Sequence, residues 1–345
     1  MNGQLRYITH GGCHWLLASR CKRPGSDSRE HWLTSSQCHP RSGFTLIELL
    51  ITITIIGLLS AVVLGALQSA RETAKYAKTK ATITKLHYII MARYDSYRTR
   101  RVPIDTKGMN PQAAAHARLM GLRDLMRMEM PDRSSDLSVL VPPIISDPPS
   151  ILSRYRRLGD KDKNGTIDLG LHPSAELLYM IVMAIPEAAE QFSGTEIADT
   201  DGNGLPEFID GWGHPIKFIR WPVGFLRDGS VVKITPPVTI TYGAETDLQD
   251  VNTPDPFDPM KITGGFAVFP LIYSAGPDGV YDINNGYGLI YVNAGGNLNP
   301  YVVDTNVYFA GQPVHLNQDG SPNGTPAPEN LYHYDNIHNH MLEVR

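Results

Sequence analysis

Residues 44–67, FTLIELLITITIIGLLSAVVLGAL, form an almost unbroken apolar run of 24 positions in which Glu48 is the single charge. As a helix rising 1.5 Å per residue, the run reaches about 36 Å, enough to cross a bilayer core. A soluble core helix needs less, so the run predicts a membrane span. Beyond Leu67, Ala70, Ala74, Ala77 and Ala81 recur at helical steps and lead into Ile83, Leu86 and Ile90, with Lys and Arg between them. That spacing is the mark of an amphipathic helix. No Pro or Gly falls between Gly65 and Pro103, so one helix of about 50 residues, roughly 75 Å long, is predicted to run through both halves.

Pro103 ends this stalk, and Pro111 opens a second predicted helix over 111–129, a position where proline's missing N–H costs nothing. Residues 131–149, rich in Pro, Ser and Asp, read as a loop. A third helix is predicted over 174–191, with Leu177, Leu178, Ile181 and Ile185 on one side and an interruption near Pro186. Segments 215–221, 231–242 (broken by two prolines), 265–274 and 288–293 alternate like strands. Helices first and strands later predict an α+β chain in which a long N-terminal transmembrane and stalk helix packs on a small antiparallel β-sheet. The parts are then 1–43 ahead of the span, 44–67 within it, 68–102 as the amphipathic half, 103–210 as a helical and loop insertion, and 211–345 as the strand region and tail.

Charge sharpens this division. Residues 1–43 carry six Lys/Arg against two acids, so with a whole-chain charge of −4 the remainder stands at −8, by −4 minus +4. A mildly acidic body lacks the concentrated basic face that phosphate binding needs, which argues against nucleic acid as the main partner. The Lys and Arg of the stalk read as a solvated helical face. All three cysteines, Cys13, Cys21 and Cys38, lie before residue 43, so disulfides play no part in the fold after it. With His14 and His39 they lack the paired short spacings of a zinc site.

A secretory signal ends in small residues after its apolar stretch, whereas Arg41-Ser42-Gly43 stands before this one. SGFTLIELLITITIIGLLSAVV resembles the type IV prepilin cleavage and methylation motif shared by pilins and the pseudopilins of type II secretion. The resemblance implies cutting after Gly43 by a prepilin peptidase, methylation of the new N-terminus at Phe44, and an assembly role for Glu48. A carboxylate in hydrocarbon is costly unless paired, and the resemblance implies that the amine of Phe44 on a neighbouring subunit is its partner. Basic residues do not orient the span, since five follow it closely and two precede it. Orientation therefore comes from the resemblance: a single pass through the inner membrane with a globular body in the periplasm or cell envelope.

Two oxygen-rich loops suggest cations. DTDGNGLPEFID, 199–210, sets Asp199, Asp201, Asn203, Glu207 and Asp210 at positions 1, 3, 5, 9 and 12, with Gly204 at position 6 and the carbonyl of Leu205 at position 7. Hard cations need six to eight oxygens about one point, and the glycine permits the sharp turn. DKDKNGTID repeats the spacing with Asp160, Asp162, Asn164, the Thr166 carbonyl and Asp168, but ends on Leu171. The competing reading of both is an Asx-rich turn that binds nothing. DGWGHPIKF (210–218) and YSAGPDGVYDINN (273–285) resemble the C-terminal part of the major pseudopilin. That likeness implies Ser274, Asp278 and Asp282 as further calcium ligands, with Trp212, Gly213 and Pro215 structural. The insertion at 104–210 and the tail at 295–345 depart from that compact subunit.

The tail's His333, His338 and His340, near Asp335, lack a helical i, i+4 pair and read as exposed. No G-x-S-x-G, H-E-x-x-H or G-x-x-x-x-G-K is present, and the acids gather in turns, so the chain is not expected to be an enzyme. The expected function is a structural, pseudopilin-like subunit of a type II secretion or type IV pilus-related filament. Its expected partners are other pilin-like subunits, the prepilin peptidase, an inner-membrane assembly platform and the bilayer. The alternative is an adhesive or DNA-uptake pilin with ligand-binding loops.

Overall fold

The computed structural model describes residues 43–138, 145, 147–225, 233–235, 239–241, 254–262, 265–285, 300–301, 310–312, 314–316, 322–326 and 335–341. The leader cysteines, His333 and the strand expected at 288–293 lie outside these residues. Two units divide the chain, Met1–Ser60 and Ala61–Arg345.

Helix α1, Leu46–Ser96, is 51 residues long. Positions 43–70 are all exposed, so the apolar run is no core helix of a soluble globule. Burial begins at Thr79 and continues through Thr82, Ile83, Leu86, His87, Ile90 and Tyr94 at helical spacing. The alanine stripe is a correction: Ala70, Ala74, Ala77 and Ala81 stay exposed. The buried side begins instead with two threonines whose hydroxyls find partners, Thr79 donating to the Lys75 carbonyl (2.9 Å) and Thr82 to Glu196 (2.8 Å).

Helix α2, Pro111–Glu129, starts where Asn110 Oδ1 accepts from the Ala113 N–H (2.7 Å), which satisfies one orphan donor of the first turn. Its last eleven residues are buried, charges included. Arg123 pairs with Asp255 (3.0 Å), Arg127 with Asp124 (3.0 Å), and Glu129 takes the Tyr97 hydroxyl (2.7 Å) and Arg100. The segment 131–149 is not wholly loop. Helix α3, Ser134–Ser138, lies within it and presents Asp136 to the fully buried Arg220 (3.1 Å), which also holds Asp132 (3.2 Å). Helix α4, Ser150–Gly159, follows. Helix α5 is Pro173–Met183, and Pro186 starts a separate short helix α6, Pro186–Ala189.

In place of one sheet, the described strands form four antiparallel ladders of two. β1 (Ile197–Ala198) pairs with β2 (Glu207–Phe208), β3 (Lys217–Ile219) with β6 (Leu271–Tyr273), β4 (Lys233–Thr235) with β5 (Thr239–Thr241), and β7 (Val314–Leu316) with β8 (Pro322–Pro326). The strand expected over 265–274 is cut down to β6 because side chains take over its backbone groups. The Val268 carbonyl is taken by the Tyr94 hydroxyl and that of Phe266 by Tyr301, while Pro270 has no N–H to give. Ile83, Leu86 and Ile90 of α1, Leu122 and Met126 of α2, Leu177 and Ile181 of α5, and Phe208, Phe218 and Ile272 of the strands share one buried core.

Glu196, one residue ahead of β1, fastens this body to α1. It accepts from Thr82 (2.8 Å), from Lys85 (2.8 and 3.0 Å) and from the Ser193 N–H (3.0 Å). Burial works against its ionisation, but these donors outweigh it and bring the carboxyl from its ordinary 4.5 down to about 2. The folded state therefore holds this proton more weakly than the unfolded chain does. Its stabilisation is complete above pH 4.5 and is lost as pH falls toward about 2. Glu196→Gln is expected to cost about 1–3 kcal/mol at neutral pH and to flatten the acid limb of a thermal-stability profile. An unchanged acid limb would mean that other carboxylates carry it.

Candidate functional site

At the start of α1, Phe44 is 81% exposed. Thr45 and Glu48 close a reciprocal pair: the Thr45 N–H and hydroxyl both donate to Glu48 Oε2 (2.8 Å each), and the Glu48 N–H donates to Thr45 Oγ1 (3.3 Å). This is a capping box, which satisfies orphan N–H groups and sets a carboxylate at the positive end of the helix dipole. The T-x-x-E spacing of Thr45 and Glu48 is the sequence signal for this box. Along the span, Thr52, Thr54 and Ser60 donate their hydroxyls back to the carbonyls of Leu49, Ile51 and Ile56 (2.7–2.8 Å). The hydroxyls of Thr52, Thr54 and Ser60 are thus satisfied within the helix, as a hydrocarbon setting demands. Leu46, Ile47, Leu49, Leu50, Ile51 and Ile53 all stand exposed, leaving an apolar surface on every side of the helix.

The D-G-W-G turn docks on the polar continuation of α1. The Gly211 N–H donates to Thr79 Oγ1 (2.8 Å), Trp212 Nε1 donates to Glu72 (2.9 Å), and the Trp212 ring meets Tyr76 edge-on at 4.8 Å. Asp210 holds the turn shut by accepting from the N–H groups of Trp212 (2.8 Å) and His214 (2.9 Å), and its other oxygen takes the Ser274 hydroxyl (2.7 Å). Asp210 is therefore directed into this turn and not into the loop at 199–207. Ser274 likewise spends its hydroxyl on Asp210 and on the Gly276 N–H (3.0 Å), while exposed Asp278 accepts from the Val280 N–H (2.9 Å). Asp282 takes up a left-handed φ of 45° and is buried. His338 and His340 are buried as well, against Phe225 at 4.8 and 5.5 Å, which corrects their reading as exposed side chains.

The two oxygen-rich loops close alike. Gly165 N–H donates to Asp160 (3.1 Å) as Gly204 N–H does to Asp199 (2.8 Å), and Thr166 N–H donates to Asn164 (2.6 Å) as Leu205 N–H does to Asn203 (2.7 Å). Gly165 and Gly204 share positive φ values of 86° and 88°, conformations that glycine adopts without strain. The loops also touch: Lys161 bonds the Asn203 side chain (2.8 Å), and the Leu171 N–H donates to Asp201 (2.7 Å). In the first loop Asp162 binds Asn164 (2.6 Å), and the Asp168 N–H closes the loop onto the Gly159 carbonyl (2.8 Å).

The second loop spans the β1–β2 hairpin, which puts Glu207 on a strand and buries it. Among the described residues, Glu176, Asp201 and Glu207 are the one group of acid, His or Cys side chains whose donor atoms converge, all within 4.8 Å of one another. Glu176 comes from α5 and was missed in the sequence. The available signal was an acid inside the apolar run SAELLYMIVM, a position where charge has no solvent to face. Burial raises the Glu176 carboxyl, although Asn203 and the Gly170 N–H pull it back. Burial also lifts Glu207, against the Thr200 N–H and with the help of neighbouring Asp201 and Glu176, to about 7.

A family model described as the prokaryotic N-terminal methylation motif matches residues 38–64, which include Gly43, Phe44 and Glu48. The match indicates a type IV pilin-like prepilin, processed by a peptidase, and it is consistent with membrane anchoring through α1, the one helix among the described residues long and apolar enough to span a bilayer. No curated protein and no solved structure matches the chain.

A methyl group on Gly211 would lie 2.5 Å from the Lys75 carbonyl oxygen, a backbone atom that cannot step aside. Gly211→Ala is expected to destabilise the folded body by about 1–3 kcal/mol through this overlap and to quench less of the Trp212 fluorescence against Glu72 and Tyr76. A variant melting with the parent would show that the turn can dock elsewhere.

Proposed function

We propose that the chain is a structural subunit of a type IV pilus-related filament, pseudopilin-like and serving type II secretion, cut after Gly43 by a prepilin peptidase and methylated on Phe44. The observation that carries this reading is the uncovered helix: positions 43–70 are exposed, apolar on all sides, and begin with one acid. Water tolerates no such surface on a folded monomer, so lipid holds it before assembly and the helices of other subunits cover it afterwards. Within that environment Glu48 needs a cation, and cleavage creates one at Phe44, the first residue of a processed chain whose fifth residue is Glu48. The remaining partners follow from this role: the peptidase, an inner-membrane assembly platform and the bilayer. The acidic body sits in the periplasm or cell envelope and acts as a structural element, not as an enzyme.

The reading predicts that the exported protein, co-produced with a prepilin peptidase, begins at methylated Phe44 by mass spectrometry. It also predicts that Glu48→Ala leaves cleavage intact and lowers sheared-filament yield at least tenfold, since removing a partner from a desolvated charge pair costs about 3–5 kcal/mol. An N-terminus elsewhere, or undiminished polymer from the variant, would overturn it.

A further inference from the structure

We propose that Glu176, Asp201 and Glu207 form a site for one hard divalent cation of calcium type, which ties α5 to the β1–β2 hairpin. The set differs from the one that loop spacing suggests, because it takes a ligand from α5 and leaves Asp210 to the tryptophan turn. It stands apart from the filament reading and does not depend on it.

Three observations converge. First, one oxygen from each carboxylate lies within 4.8 Å of the others, so all three can sit around a single ion at the 2.3–2.6 Å distances typical of calcium. Second, the glutamates are each fully buried and each keeps one oxygen without a partner, Glu176 Oε2 and Glu207 Oε1. Their other oxygens are fixed by N–H donors: Gly170 N–H (2.8 Å) and Asn203 Nδ2 (2.7 Å) to Glu176 Oε1, and Thr200 N–H (3.0 Å) to Glu207 Oε2. Buried carboxylate oxygens left bare are costly, and a cation supplies what the N–H groups do not. Lys161 favours the Glu176 charge only from a distance, since its ammonium hydrogen-bonds Asn203 and no carboxylate of the cluster. Third, a side chain at Gly170 would overlap the Asp201 carboxylate and the Asn203 amide, so bare backbone at 170 is what lets the two loops close over the acids. Asp201 is only half-buried, which leaves a side open for the ion to enter and for water to complete its coordination.

The full chain in detergent, stripped with a chelator and titrated with calcium chloride, tests this. One ion per chain should bind, and a concentration 100 times the dissociation constant should raise the melting temperature by roughly 5–10 °C. Glu176→Gln and Glu207→Gln should each weaken calcium binding at least tenfold while melting no lower than the parent without calcium, because each removes a repelling charge. Asp162→Asn and Asp278→Asn should keep the response. Hydrogen exchange on the unaltered chain gives a readout independent of any variant: calcium should slow the amides of 169–172 and 199–207. No calcium response, an undiminished response in the Glu176→Gln/Glu207→Gln double variant, or protection confined to 274–282 would each overturn the proposal.

Discussion

An apolar helix surface cannot remain in water, and the two halves of α1 meet that constraint in opposite ways. The first half of α1 has apolar side chains on all sides, and they stand exposed among the described residues. The hydroxyls of Thr52, Thr54 and Ser60 within it are satisfied internally, bonded back to the preceding turn. Such a segment gains stability only from an outside partner, lipid or another helix. The second half meets the opposite condition, with Ile83, Leu86, Ile90 and Tyr94 buried in the chain's own core. One continuous helix therefore passes from a surface that must be covered by others to a surface that the chain covers itself.

Where α1 becomes polar, hydrogen bonds and charge take over from apolar burial. Thr79 receives the backbone of the D-G-W-G turn, Glu72 receives the Trp212 indole, and Lys85 with Thr82 receives Glu196. These attachments all lie along one helix, between Glu72 and Lys85. The α2 end uses buried ion pairs in the same way, with Arg123 reaching Asp255 and Arg220 gathering Asp132 and Asp136. Buried pairs of this kind contribute little net stability compared with apolar packing, but leaving one member alone is costly, so they discriminate against other arrangements of the same elements.

What could be read from the sequence was what depends on near neighbours. The span, its acid, the long uninterrupted helix and the proline at the start of α2 all follow from local periodicity and local chemistry. So do the glycine turns of both Asx loops, since the bonds onto Asp160, Asn164, Asp199 and Asn203 join residues two to five apart. The alanine stripe misled because spacing alone cannot say that Thr79 and Thr82 would earn burial through bonds to residues more than a hundred positions away. Asp210 fitted a loop pattern by count, yet its oxygens belong to Trp212, His214 and Ser274. Glu176 reaches the acidic cluster only because α5 lies beside the β1–β2 hairpin, a tertiary fact with no trace in loop spacing. Among the described residues the strand expected over 265–274 shortens to β6 because hydroxyls from Tyr94 and Tyr301 occupy the Val268 and Phe266 carbonyls that a neighbouring strand would have used.

The Thr45–Glu48 capping box bears on how such a subunit could join others. Its acid is not idle beforehand, since it already holds one N–H and one hydroxyl at the beginning of its own helix. Moving toward a neighbour's amine would mean an exchange of one charge-assisted arrangement for another, and the free-energy difference between them is smaller than either. In the proposed filament such an ionic contact would contribute selectivity more than cohesion: it would reject offsets in which the acid finds no cation, while cohesion would come from the apolar flanks sliding together until that one offset is reached.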